Sequence, residues 1–470
     1  MRDIASNELK TTVTDVVISV PGWFTEIQRR ALIDAASIAN LNVLRLINDT
    51  TAAALGYGIT KSDLPDPENP RHVVFVDVGH GDMSVAVVAF SKGQLLIKST
   101  AYEPNLGGRD IDYAMVKHFS DEFKTKYKID VMNNTKAMFR LSAGCEKLKK
   151  VLSANSEAPL NVESIMNDID ASSKLTRDEL EQLIQPVLDA IPAPLERAIK
   201  DSGLTLDQID AIELIGGSTR IPAVRNRIQA SFPGKALSFT LNQDEAVARG
   251  STFACAMLSP VFRVRDFHIT DANHFPISVH WVASPSDLEE DTELLVFPQG
   301  NVIPSSKVLT FYRREPFSVD TSYAEPSLLP GKFNPWLGRF SVKDLPLPAN
   351  GDSACVKVKT RLNLHGTISF EAAYIEEVEE KEEAPMDVEP SAEGAAPPAP
   401  KKKRVVRKKE INFETKDTSL DKSIVESYRE QESQLHAADK LVMDTEVRSL
   451  LIRPTSYLTG FFLIGTQECA

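Results

Sequence analysis

Ala211–Pro222, AIELIGGSTRIP, constrains this chain more than any other stretch. Ile212, Leu214 and Ile215 form a short apolar run that fits a buried strand, and Gly216 and Gly217 then let the backbone turn sharply and pass close to a ligand. Ser218 or Thr219 can cap a following helix, Pro222 suits its first turn, and Val224 and Ile228 continue one apolar face. A strand, a glycine turn and a helix start present free N–H groups and the positive end of a dipole, which suits a phosphate or a nucleotide. The same residues equally describe an ordinary strand-to-helix turn of an α/β protein, and on them alone the two readings stand level.

A chain of 470 residues with 42% hydrophobic content can bury more than one core, so two or three domains are expected. Its net charge of −13 argues against general nucleic-acid binding. Cys145, Cys255, Cys355 and Cys469 lie far apart with no paired spacing, which disfavours a zinc ribbon or a disulfide framework and fits a reducing compartment. The opening MRDIASNELK has no apolar core of a signal peptide, and Leu458–Gly465 is too short to span a bilayer. A soluble intracellular protein without membrane attachment is expected.

Asp15–Val20 reads as a strand ended by Pro21 and Gly22, after which Thr25 can cap a helix with Ala31, Ile33, Ala35 and Ile38 inward. Leu44–Ile47 is another strand, followed by Asn48, Asp49, Thr50 and Thr51. An acidic residue there suits metal or water chemistry, although a plain helix cap is the commoner role. His72–Val78 is a strong buried strand that runs through Asp77 into Gly79, His80, Gly81 and Asp82, and Ser84–Phe90 returns from it. The hairpin's N–H groups can line a phosphate, or it is a glycine-rich hairpin and nothing more. Leu95–Ala101 completes a meander. Helices are expected over Asp110–Lys126 and Ala137–Leu152, the second carrying Glu146, Lys149, Lys150 and Ser153 on a solvated polar side or just past its end. Thr176 and Glu179 spell a capping box, and Asn242–Met257 reads as a helix with Asp244 and Glu245 in its first turn.

From about Pro260 short alternating runs such as FRVRDFHI, FPISVHWV, KVLTFY and SACVKVKTRL recur between turns, which signals an antiparallel β-sandwich. Glu376–Glu383 is almost wholly acidic and Ala384–Pro400 is rich in Pro, Ala and Glu, so disorder is expected there. Lys401–Lys409 is basic; PKKKR has the composition of a nuclear import signal and could also bind nucleic acid, and the favoured alternative is a tether balancing its acidic neighbour. Asp421–Val447 returns to helical texture, with Pro454 and Gly460 expected to end it.

Several blocks fall into one order: VISVPGWFTEIQRRALIDAASIANLNVLRLINDTTAAALGYG, VFVDVGH, NLGGRDID, CEKLKKVLSAN, ELIGGSTRIPAVR and NQDEAVARG. Together they resemble the 70-kDa heat-shock protein superfamily, most closely its 110-kDa, nucleotide-exchange branch, from about Thr12 to Asp444. The resemblance implies an actin-like α/β nucleotide-binding domain over 1–258 and a β-sandwich holding extended polypeptide over 259–376. A charged linker over 377–412, the start of a helical lid over 413–450 and a divergent tail over 451–470 complete the expected order. ATP or ADP with Mg²⁺ is the implied ligand. Gly79, His80 and Gly81 match the second phosphate loop; Gly216, Gly217, Ser218 and Arg220 surround the adenosine. Glu146, Lys149, Lys150 and Ser153 match the helix closing over adenine and ribose, and Asp244 helps fix the nucleotide through solvent. Asp77 and Asp49 match the carboxylates that hold Mg²⁺ and its waters. The implied partners are unfolded polypeptides and a 70-kDa chaperone whose nucleotide exchange it promotes, in the cytoplasm or also the nucleus.

Three departures qualify this expectation. The family's first phosphate loop and the lysine after it find no counterpart before Met1, so the family's weak ATPase activity is expected to be crippled and the first lobe to carry an unpaired edge. Asp82 stands where the parent branch has a phosphate-binding threonine, and its charge would repel a nucleotide. The tail from Leu451 does not match, which points to a truncated form. A nucleotide-independent holdase is therefore the alternative.

Overall fold

The computed structural model describes residues 2–284, 291–331, 333–347, 353–382 and 402–464, and its backbone divides into two compact units. The first gathers Met1–Val16, Arg30–Leu44 and Thr418–Ala470; the second holds Val17–Arg29 and Arg45–Asp417. This division cuts across the expected order of domains, because it follows contacts rather than chain order.

In the first unit the helix Lys422–Ile464 is tied down near its start. Leu420 N donates to Asp34 Oδ2 at 2.9 Å, and the Arg429 guanidinium donates to Ser37 O and Oγ at 3.2 and 3.0 Å. Its backbone continues past Pro454 and Gly460, so the expected stop is not taken. A proline inside a helix removes one donor and costs about 3 kcal/mol, which weakens a helix without ending it.

The second unit is built on a seven-stranded mixed sheet. Arg71–Val78, Met83–Ser91 and Gln94–Glu103 form the expected meander, and Ala211–Ile215 adds parallel to the first of these strands. Val74, Val76, Val85 and Val87 point to one face, where the Pro192–Ser202 helix packs on the sheet and Met115, Phe119, Leu141 and Leu148 of the Gly108–Tyr127 and Thr135–Leu152 helices extend the same core. Phe75, Ala86 and Phe90 point the other way, against Leu55 and Tyr57 of Asp49–Ile59. Strands buried on both faces carry near-continuous apolar runs, which is how HVVFVDV is written.

His268–Ala272 corrects the expected boundary at 258/259. This strand, assigned from sequence to the sandwich, pairs parallel with the start of Gln94–Glu103 in the first sheet, Ile269 opposite Leu95. The sandwich starts at Ile277, with a five-stranded and a four-stranded sheet enclosing Val279, Phe297, Val319, Phe340 and Val356. Alternation shows that a strand exists but not which sheet it joins.

The expected structureless linker is also shorter than 377–412. Ile368–Glu382 pairs antiparallel with Lys402–Glu410, Glu380 opposite Arg404 and Glu376 opposite Lys408. The opposite charges of Glu376 and Lys408, at one register position, favour pairing that composition alone disfavours. Residues 383–401, including the start of the PKKKR run, lie outside the described residues.

Candidate functional site

Register brings the two glycine turns together. Asp77 lies opposite Ser84 on one side and Ile215 on the other, so Gly79–Asp82 and Gly216–Arg220 leave the same end of the sheet. Gly216 has φ +83°, and a Cβ there would collide with Asp77 Oδ1 and the Val78 carbonyl. Only glycine allows both the left-handed turn and this approach. Gly217–Arg220 is a short 3₁₀ turn, and the helix proper begins at Pro222.

The phosphate-loop candidate is held from three sides. Gly79 N donates to the Asp82 carbonyl at 3.1 Å, while Gly108 N and Arg109 N donate to the Gly79 and His80 carbonyls at 3.0 and 2.8 Å. Ser218 Oγ donates to the same Gly79 carbonyl at 2.8 Å. Lys149 Nζ donates to Gly108 O at 3.2 Å and to Asp112 Oδ2 at 2.6 Å. Lys149 therefore corrects the expected solvated side: it is 8% exposed, on the inner side of Thr135–Leu152, and its charge is neutralised by Asp112. Glu146 and Lys150 do face solvent, paired at 2.7 Å, and Ser153 Oγ donates to the Lys150 carbonyl.

Arg220 and Asp244 form a bidentate pair at 2.9 and 2.7 Å beside Gly217. The Arg220 guanidinium lowers the Asp244 pKa, with a smaller pull from Lys150. Asp244 precedes the helix Ala246–Leu258 and is not in its first turn, because Asn242 first forms a separate turn through its side chain.

Asp49 opens the helix Asp49–Ile59, and its Oδ1 accepts from Thr50 N at 2.6 Å. Burial raises its pKa well above the usual carboxylate range, and the charges of Asp77 and Asp82 raise it further. Burial, then Asp82, pushes Asp77 up to about 7. Two buried carboxylates, Asp49 and Asp77, that resist ionising beside one another form a site that a cation would relieve.

The chain matches the Hsp70 protein family model over residues 1–450. The chain belongs to the Hsp70 family. It is 50% identical over 443 residues to heat shock protein hsp88 of Neurospora crassa, covering 93% of this chain and 62% of that one. Against a heat shock protein homolog of Saccharomyces cerevisiae identity is 42% over 450 residues, covering 95% and 64%. Against heat shock 70 kDa protein 4 of Rattus norvegicus it is 46% over 396 residues, covering 83% and 47%. The chain thus spans less than two thirds of the length of these relatives, which belong to the 110-kDa branch of the superfamily.

Hsp70 proteins as a family bind nucleotide with Mg²⁺, and the residues present here fit both. Asp49 and Asp77 supply hard oxygen donors, and beside them the buried Thr50 and Thr51 hydroxyls find no hydrogen-bond partner among the described residues. No cluster of His, Cys, Asp or Glu among those residues can ligate an ion directly. Mg²⁺ commonly keeps several waters, so carboxylates acting through water suit it.

Sequence reasoning missed residues around this candidate site that are legible only in space. Arg29 Nη2 donates to Asn48 Oδ1 at 2.7 Å, and Asn48 Nδ2 donates to both Asp271 oxygens at 3.2 Å. Glu26 Oε2 accepts from Ile368 N at 3.1 Å. Asp271 belongs to the mixed sheet, whereas Ile368 and the His365 carbonyl, which accepts from Arg29 Nη1 at 3.2 Å, belong to the sandwich, so Arg29 and Glu26 tie the two together within one compact unit. The only sequence signal was a set of polar residues beside apolar runs.

Proposed function

We propose that this chain is an adenine-nucleotide-binding chaperone of the 110-kDa heat-shock branch. ATP or ADP lies between Gly79–Asp82 and Gly216–Ser218, with phosphate on the N–H groups of the first turn. Asp49 and Asp77 hold Mg²⁺ through its waters. Glu146, Lys150 and Ser153 stand on the adenosine side with Arg220 and Asp244. The bound ion supplies charge neutralisation at the phosphates; the chain's own residues bind, orient and screen. The sandwich holds extended polypeptide, and nucleotide selects the state in which the chain engages a 70-kDa chaperone and promotes its nucleotide exchange. A cytoplasmic site of action fits this role.

The convergence of Gly79, Gly108, Ser218 and Lys149 on one point beside Asp77 carries this reading. Calorimetric titration with MgATP, MgADP and adenosine tests it. Saturable heat is expected for both nucleotides, lost in Gly216→Val. No heat at millimolar nucleotide, together with suppressed aggregation of a denatured client, would replace this reading with a nucleotide-independent holdase.

A further inference from the structure

Asp82 sets a problem for any phosphate-binding role, since it puts a carboxylate in the turn that would cradle phosphate. The structure shows where that charge is held. Trp23 Nε1 donates to Asp82 Oδ2 at 3.0 Å, and Ser84 Oγ donates to the same oxygen at 3.3 Å. Trp23 is itself held in place. Gly22 lies so close to Tyr102 that a Cβ would collide with the phenol oxygen. Arg29 Nε donates to the Phe24 carbonyl at 3.0 Å, Phe24 N donates back to the Pro21 carbonyl at 2.9 Å, and the Trp23 ring packs edge-on against Phe24 at 5.2 Å. The half-buried indole is therefore a fixed donor with one acceptor, aimed at the phosphate turn from outside it.

We propose that Trp23 is a positioning residue for the nucleotide: with Ser84 it holds the Asp82 carboxylate away from the path of the phosphates, so that the turn can accept an anion. This rests on the nucleotide-binding reading above. An indole N–H cannot be deprotonated or accept, so its bond to a carboxylate has a fixed direction. Replacing the indole by a ring without a donor frees the carboxylate to swing toward the turn's N–H groups, where it competes with phosphate and repels it. The penalty falls on charged ligands alone, and it needs Asp82.

The experiment is a double-mutant cycle of Trp23→Phe and Asp82→Thr in the full chain, titrated calorimetrically with MgATP and with adenosine, melting temperatures confirming folding. Trp23→Phe is expected to weaken MgATP binding by roughly tenfold or more, the scale of one unscreened charge contact, and to leave adenosine binding unchanged. In the Asp82→Thr background the same change should alter MgATP affinity by less than about twofold. Equal losses in both backgrounds, or equal losses for MgATP and adenosine, would overturn the proposal, as would no loss at all. The emission of Trp23 in nucleotide-free protein, taken as the wild-type spectrum minus that of Trp23→Phe, gives a readout independent of binding. It should shift when Asp82→Thr removes the carboxylate, and an unchanged Trp23 spectrum would overturn the proposal even if nucleotide binds. Wild-type protein that shows the shift but binds no nucleotide would instead defeat the nucleotide-binding reading, and this proposal with it.

Discussion

Asp77 concentrates the electrostatic tension of this molecule. Folding raises its pKa to about 7 from the usual carboxylate range of about 4, so between those values the folded state holds a proton that the unfolded chain has lost. Stability therefore falls as pH rises across that window and levels off above it. Asp77→Asn should flatten this limb and raise the melting temperature of nucleotide-free protein above neutrality, while weakening Mg²⁺-nucleotide binding; thermal melts across the window, with and without MgATP, check both. Lys149 and Asp112 make the opposite case, a buried pair at 2.6 Å. Lys149→Met would leave Asp112 buried without its cation and should cost roughly 3 kcal/mol in urea unfolding. The sequence marked both Lys149 and Asp77. It could not say that Lys149 faces inward, because helical spacing places it at the border between the polar and apolar sides, and only the Gly108–Tyr127 helix supplies the carboxylate that lets it be buried.

Among the elements, the Gly216 turn and the His268–Ala272 strand matter most. At Gly216 the backbone is left-handed and pressed against Asp77, so Gly216→Ala should cost more than about 1 kcal/mol and abolish nucleotide binding; calorimetry and chemical denaturation report the two separately. Beyond His268–Ala272 lies His274, packed edge-on against Tyr102 at 4.8 Å. Burial first, then the charges of Arg197 and Arg29, lowers its pKa to about 4. The unfolded imidazole titrates near about 6.5, so the folded state is fully favoured above that value and loses stability as pH falls through the window to about 4. His274→Phe should blunt this acid loss, measured as the slope of melting temperature against pH. The strand preceding His274 was legible as an element and illegible as a location, since an alternating run suits either sheet and its partner, Gln94–Glu103, lies far back in the chain.

At the scale of the molecule, the second compact unit holds both the mixed sheet and the sandwich, joined through Arg29, which reaches Asn48 and through it Asp271 of the mixed sheet on one side and the His365 carbonyl of the sandwich on the other. Removing Arg29 would leave Asn48 and several carbonyls without their donor. Arg29→Ala should split the unfolding of this unit, seen by scanning calorimetry, from one cooperative transition into two.

What the sequence by itself determined is local and chemical. Apolar runs bounded by glycine and proline set the strands, capping residues set several helices, and the ordered blocks identified the family and singled out the residues proposed here for a nucleotide site. Those features depend on neighbours a few positions away, so a linear reading reaches them. Tertiary structure alone decided which strand joins which sheet, that the acidic and basic runs pair across a ladder, that Lys149 is spent on Asp112, and that Trp23 reaches Asp82. Each of these depends on groups brought together from distant parts of the chain, where burial sets the strength of a charge and register sets its partner, and neither quantity is written at any single position.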